Sequence, residues 1–421
     1  MCRFFPSDIR GQIRIPGSKH YTQRLLLLSA FSDIPVRMVN ISHSQDEGIA
    51  AGIAAQCGSD VLVSGSEISV YPSFRVPEEI YCGESATSAR MAISLLCLKK
   101  SVTYVRMEKS LIRRDFSPLI SALESVGCRF ETRMDGIMVD ASGFFPHSME
   151  IDASLSSQFV SSLLMMLSLL GDSNLKIKVT GKEVSAGYVD ITQDCLAKFG
   201  VNVKREGNEY YVTGKLRNPE SQIEVESDMS SSSFLVTMGV LSSRGCIHLL
   251  DVVSSGIQPD HHYVDALSRA GFKVKYNTSE RTIDSCLSNG DTITVDVDRN
   301  PDLAPIASVI GILNSNGVVL KNTLRLTWKE SDRRGEIIRL AESFGASVTE
   351  DGYDIMIKKG SNPLKPDKLI FNDHRMTMAA TVASIASGSE TIVGDLDSVK
   401  KSYPSFLNDL SSLGVRYSDV T

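Results

Sequence analysis

Four stretches of this chain gather cations among hydroxyl and amide residues at turns that lead into apolar runs. The first is Pro16-Gly17-Ser18-Lys19-His20-Tyr21-Thr22-Gln23-Arg24, followed directly by four leucines. A Gly-Ser turn at a helix start leaves backbone N–H groups without partners, and Lys19 and Arg24 reinforce that positive end, which suits an anion. It is not a nucleotide P-loop, because Ile13 stands where that motif needs its upstream glycine. The second stretch is Gly83-Glu84-Ser85-Ala86-Thr87-Ser88-Ala89-Arg90, with Arg113-Arg114 one strand later. The third is Ser154-Leu155-Ser156-Ser157-Gln158-Phe159, echoed by the serine run Asp228 to Phe234.

The fourth group is chemically the richest: Asp302 after Asn300-Pro301, then Lys329-Glu330-Ser331-Asp332-Arg333-Arg334, Asn372-Asp373-His374-Arg375 and Lys400-Lys401-Ser402-Tyr403-Pro404. Lys329 and Arg333 are four residues apart and are expected to share a helix face, with Glu330 beside them as a proton donor or acceptor. Each segment alone reads as an ordinary basic helix start, an N-cap or a surface charge run. What separates them from that bland reading is their recurrence at equivalent places along the chain.

The elements that must position these groups are marked by six glycines, Gly58, Gly127, Gly200, Gly271, Gly345 and Gly414, spaced by 69, 73, 71, 74 and 69 residues. Each closes an apolar run of helical period and opens a β-rich segment, as a glycine in a left-handed C-terminal cap does. A second strand follows after a turn signal such as Asp135-Gly136, Gly207-Asn208 or Asp351-Gly352. The repeating unit therefore reads as βαβαββ, present six times.

At 421 residues the chain exceeds one ordinary core, so three units in each of two domains is the expected division. A hydrophobic content of 42% with 22% charged residues is that of an ordered globular protein. The net charge of −6 gives nothing to attract nucleic acid as a whole, so an anionic ligand must be met by local cations. The eight cysteines form no CxxC pair, which predicts reduced thiols and no zinc site, and with the absence of a long apolar segment it predicts a cytoplasmic protein away from membranes.

As an ordered set, PGSK at 16–19, SSQF at 156–159, KESDR at 329–333, NDHRM at 372–376 and KSYP at 401–404 resemble the 5-enolpyruvylshikimate-3-phosphate synthase family, along the whole chain. The resemblance implies an α/β, two-domain, inverse α/β barrel-like enolpyruvyl transferase fold with three βαβαββ units per domain. It implies a domain of residues 1–15 and 227–421, a second of 16–226, and a hinge near 15–17 and 226–228; closure is expected when the first substrate binds, because cations of both domains repel one another until an anion is present. It also implies a reaction that moves the enolpyruvyl group of phosphoenolpyruvate to the 5-hydroxyl of shikimate 3-phosphate with release of phosphate, by a monomer, with no metal or organic cofactor.

By the same resemblance Lys19, His20, Arg24, Ser156, Ser157, Gln158, Ser185, Tyr188, Asp302 and Lys329 hold shikimate 3-phosphate. Lys19, Glu84, Ala86, Arg114, Gln158, Arg333, Arg375 and Lys401 hold phosphoenolpyruvate. Addition needs an acid at the methylene carbon and a base at the hydroxyl. Glu330 is assigned to the methylene and Asp302 to the hydroxyl, with Lys19 as an alternative proton carrier and His374 as an assisting or orienting group.

The chain departs from the family pattern at four places. His20 replaces a serine, Ala86 a glycine, Thr327 an arginine, and Ser185-Ala186-Gly187-Tyr188 lacks a proline. The Ala86 methyl group is expected to exclude part of the inhibitor glyphosate, which is longer than phosphoenolpyruvate; potent inhibition at low phosphoenolpyruvate would contradict this. Two rival readings are a UDP-N-acetylglucosamine enolpyruvyl transferase and a binding protein that kept the fold without the chemistry. The first lacks its reactive loop cysteine here, since Cys97 lies in an apolar helix-like run. The second is opposed by the presence of Lys19, Asp302, Glu330, Arg375 and Lys401.

Overall fold

Six inner helices carry the core, and their sequences explain why. Lys19–Ser32, Ala86–Cys97, Ser157–Leu170, Met229–Leu241, Ala304–Leu313 and His374–Ala386 are buried on nearly every face. A helix without a polar stripe is stable only when packed all round, and small residues at many positions of these helices allow close approach. The structure is a computed structural model that describes residues 1–32, 34–219, 222–242 and 245–420. It divides into two compact units, one of residues 1–16 and 226–421 and the other of residues 17–225.

Among the described residues the strands form six four-stranded sheets of one design. In the sheet Met149–Asp152, Lys176–Thr180, Glu209–Thr213 and Asn202–Glu206, the first pair is parallel and the other two antiparallel. The inner helix Ser157–Leu170 makes the parallel crossover and the helix Gly187–Lys198 leads to the closing hairpin, so the unit is βαβαββ as the glycine spacing predicts. All six marker glycines have positive φ, between 71° and 96°. Gly127 shows the reason for the residue type: its φ is +88°, and a Cβ there would lie 2.3 Å from the carbonyl oxygen of Gly143.

Both units close on strands borrowed from distant sequence. In the 17–225 unit, Ile223–Glu224 pairs parallel with Val36–Val39. In the other, Gly11–Arg14 pairs parallel with Cys246–Leu250. Cys2–Phe5 lies between Thr391–Val393 and Arg416–Asp419.

The expectation of eight reduced thiols fails at one pair. Cys246 and Cys286 form a disulfide, because they stand directly opposite each other in the antiparallel pairing of Cys246–Leu250 with Thr282–Cys286, a register that spacing along the chain does not reveal. The other six cysteines are free and buried. Among the described residues no helix is long and apolar enough to cross a membrane.

Candidate functional site

In the 17–225 unit the polar groups gather at the N-termini of the inner helices. Lys19 opens the first of these helices, and its ammonium group meets the Asp46 carboxylate at 2.5 Å with both side chains almost fully buried. Asp46 is held in the first turn of Gln45–Gln56 by a capping box in which Ser44 and Glu47 bond reciprocally. The box is legible in the sequence; its meeting with a lysine 27 residues upstream is not.

Arg24 is buried one turn further on. Its guanidinium donates to Thr192 Oγ1 at 2.7 Å, to the His20 carbonyl at 2.7 Å and to the Tyr188 carbonyl at 3.2 Å. Burial pulls its pKa down. The His20 ring packs edge-on against Tyr188 at 5.0 Å, so the residue that departs from the family pattern lies in this same cluster. Ser185 takes a left-handed backbone (φ +53°) just before the helix Gly187–Lys198, and its carbonyl accepts from the Tyr188 N–H.

Gln158 is fixed from both ends of its amide. It donates to Thr87 Oγ1 at 2.9 Å and accepts from Arg90 Nη1 at 2.7 Å, and Arg90 also reaches Ser156 Oγ at 3.2 Å. Ser156 caps the helix that Ser157 opens. Arg90 packs over the rings of Phe116 and Phe159, at 5.3 and 4.7 Å. Sequence reading singled out Gln158 and Ser156 but gave Arg90 no role, because the contact joins residues 68 apart. Ala86 is buried at the first position of its helix, Glu84 is exposed and bonded by Ser110, and Arg114 is half-buried in the turn after Lys109–Ile112.

In the other unit one guanidinium organises the chemistry. Arg333, 1% exposed, contacts Asp373 at 2.8 Å, Glu330 at 2.8 Å and Asp302 at 3.2 Å. Burial alone would weaken its hold on its proton, but the carboxylates of Asp373, Glu330 and Asp302 overcome that and raise its pKa. Arg375 binds the other oxygen of Asp302 at 2.8 Å. Asp373 also caps the inner helix His374–Ala386, accepting from the backbone N–H of Arg375 at 2.8 Å. The proposed acid and base thus share one arginine.

The expectation that Lys329 and Arg333 share a helix face is corrected. Lys329 ends the 3₁₀ turn Thr323–Trp328, and the α-helix begins only at Arg333, because Asp332 caps it by accepting from the Gly335 N–H. Burial of the ammonium group, with the positive charges of Arg325 and Arg333, lowers the Lys329 pKa to about 7 against the pull of Asp302 and Glu330, although the residue keeps partial exposure. His374 is buried, with Nδ1 3.9 Å from Asp373. Lys401 is half-buried at the end of the 3₁₀ turn Leu396–Lys401. Among the described residues no group of three or more His, Cys, Asp and Glu is arranged to hold a metal ion.

Comparison with known proteins matches residues 5–410 to the family model described as EPSP synthase (3-phosphoshikimate 1-carboxyvinyltransferase). A 3-phosphoshikimate 1-carboxyvinyltransferase of Picrophilus torridus is 38% identical over 405 residues, covering 96% of each chain. That of Thermoplasma volcanium is 37% identical, covering 95% of each. Among solved structures, an EPSP synthase of Acinetobacter baumannii superposes with a TM-score of 0.80 over 99% of each chain at 19% identity. The enolpyruvyl transferase NikO of Streptomyces tendae gives 0.75 at 15% identity, over 100% of this chain and 99% of that one. At those identities the two structures speak for the fold.

Proposed function

This chain belongs to the EPSP synthase (3-phosphoshikimate 1-carboxyvinyltransferase) family, and from that premise we propose that it transfers the enolpyruvyl group of phosphoenolpyruvate to the 5-hydroxyl of shikimate 3-phosphate. The observation that supports the reading is the meeting of Asp302 and Glu330 on Arg333, which brings the two carboxyl groups around one fixed charge. In the addition step the Glu330 carboxyl gives a proton to the phosphoenolpyruvate methylene carbon. The 5-hydroxyl oxygen bonds to the neighbouring carbon, and Asp302 takes the hydroxyl proton. In the elimination step Glu330 takes a proton back from the methyl group, the double bond re-forms and the carbon–oxygen bond to phosphate breaks, the departing phosphate carrying off the hydroxyl proton that Asp302 held. Cationic groups stabilise the departing phosphate.

We assign Lys19, His20, Arg24, Ser156, Ser157, Gln158, Ser185, Tyr188, Asp302 and Lys329 to shikimate 3-phosphate. Lys19, Glu84, Ala86, Arg114, Gln158, Arg333, Arg375 and Lys401 go to phosphoenolpyruvate. Lys19, tied to Asp46, is an alternative proton carrier and His374 an orienting group. The enzyme is proposed to act as a cytoplasmic monomer without metal or organic cofactor.

The test is phosphate release from phosphoenolpyruvate in chelator-treated buffer, with shikimate 3-phosphate or UDP-N-acetylglucosamine as acceptor. Release only with shikimate 3-phosphate is expected, with a loss on the order of 10²-fold or more in Glu330→Ala and Asp302→Ala. Release with UDP-N-acetylglucosamine alone, or with neither acceptor, would overturn the reading. The first is disfavoured by Cys97, which is buried inside the helix Ala86–Cys97 and is not on a loop.

A further inference from the structure

Asp260 has no place in the chemistry described so far, yet it is a carboxyl group only 2% exposed. It lies in the 3₁₀ turn Pro259–His261, ahead of the helix His262–Arg269. Ser230 Oγ, in the first turn of Met229–Leu241, donates to one of its oxygens, and Asn300 Nδ2 donates to the other at 3.1 Å. Asn300 stands two residues before Asp302, in the loop that ends where the inner helix Ala304–Leu313 begins. Asp260 therefore ties the loop bearing Asp302 to the N-terminus of a second inner helix.

The charged groups acting on it are Asp302, which disfavours its ionisation, and Arg375, which favours it. Burial is the larger effect, and together they raise its pKa to about 6. Its other neighbours are engaged elsewhere: His261 packs edge-on against Tyr276, Asp228 caps its helix through Ser231, and Glu226 accepts from Gln258.

Asp302 itself is bound by two guanidiniums, from Arg333 and Arg375. Two fixed positive charges favour the ionised carboxylate and so weaken it as a base. A second, buried negative charge nearby offsets that pull. We propose that Asp260 is a positioning residue for Asp302: it fixes the Asp302 loop through Asn300, and its negative charge keeps Asp302 basic enough to accept the substrate hydroxyl proton. This rests on the function proposed above.

The experiment compares wild type, Asp260→Asn and Ser230→Ala by kcat, KM and pH profile from 5 to 9, with shikimate 3-phosphate binding read separately from the fluorescence of Trp328, the single tryptophan, next to Lys329. Asp260→Asn should lose about tenfold or more in kcat with binding little changed, and the acid limb near pH 6 should shift. Ser230→Ala keeps the charge and removes only a hydrogen bond that favours the ionised Asp260, so any shift of that limb should be toward higher pH, opposite to Asp260→Asn. A wild-type pH profile in Asp260→Asn, or the same change in both variants, would overturn the proposal. Carboxyl NMR of Asp302 makes the test independent of turnover. Its titration should move to lower pH in Asp260→Asn by about half a unit or more. An unmoved titration sinks the proposal even if the enzyme is active, whereas a moved titration in an enzyme silent toward both acceptors would sink only the assigned reaction.

Discussion

Lys329 is the residue whose environment most directly shapes behaviour near neutral pH. An anion needs its charged form, and burial beside Arg325 and Arg333 leaves that form only half populated near pH 7. Apparent affinity for shikimate 3-phosphate should fall as pH rises above about 7, by up to about tenfold per unit, until the bound anion's own pull on the proton is exhausted. Lys329→Arg, which stays protonated, should flatten that dependence. An affinity that stays constant from pH 6.5 to 9 in the wild type would remove Lys329 from the shikimate 3-phosphate site. The same lowered pKa has a consequence for folding. Between about 7 and the ordinary lysine value of 10.5 the unfolded chain binds this proton more tightly, so the contribution of Lys329 to stability rises with pH across that window and is least favourable below it.

At the scale of elements, the marker glycines are where helix and hairpin meet. Two costs can be told apart there. Gly127 has a φ of +88° and a carbonyl oxygen 2.3 Å from where a Cβ would be, whereas Gly207, at +61° in a hairpin turn, has nothing within 4 Å. Gly207→Ala should cost about 1 kcal/mol for the left-handed backbone alone. Gly127→Ala must add displacement of the Gly143 loop and should cost roughly 3 kcal/mol or more. Urea unfolding of the two variants measures the difference. Equal losses would mean that backbone conformation, not the close approach, selects glycine at the repeat junction. The inner helices raise a different point: with no polar face, each depends on its neighbours for stability, and their N-termini hold the caps Ser156, Asp228 and Asp373 among the candidate site residues.

At the scale of the molecule, the two units differ in how the chain builds them. Every strand of the 17–225 unit lies within that span. The other unit needs Gly11–Arg14 at a sheet edge and Cys2–Phe5 inside a sheet, with Phe4 fully buried. A fragment of residues 17–225 should therefore unfold cooperatively alone. A fragment of residues 226–421 should not, because loss of Cys2–Phe5 strips Arg416–Asp419 of its only strand partner among the described residues. The Val420 N–H donates to the Met1 carbonyl at 3.0 Å, so a short linker from residue 421 to residues 1–16 should restore the second fragment. Circular dichroism melts of the three fragments decide it, and a cooperative melt of unextended 226–421 would show that Cys2–Phe5 is dispensable.

The sequence by itself determined the repeat, because a glycine at each helix end and a hairpin turn after it are local requirements of backbone geometry that leave their mark at fixed spacing. It also determined which segments gather cations, since caps and turns are written within a few residues, as Ser156 and Asp373 show. What only the tertiary structure decided is pairing across distance. Lys19 with Asp46, Gln158 with Arg90, Arg333 with Asp302 and Asp373, and Cys246 with Cys286 each join residues from different elements. No periodicity reports those meetings, because strand register and helix packing set them. The same limit hid Asp260, an unremarkable acid in a turn until Asn300 and Ser230 are seen to hold it. It also misplaced Lys329, where spacing alone suggested a helix and the Asp332 cap started that helix four residues later.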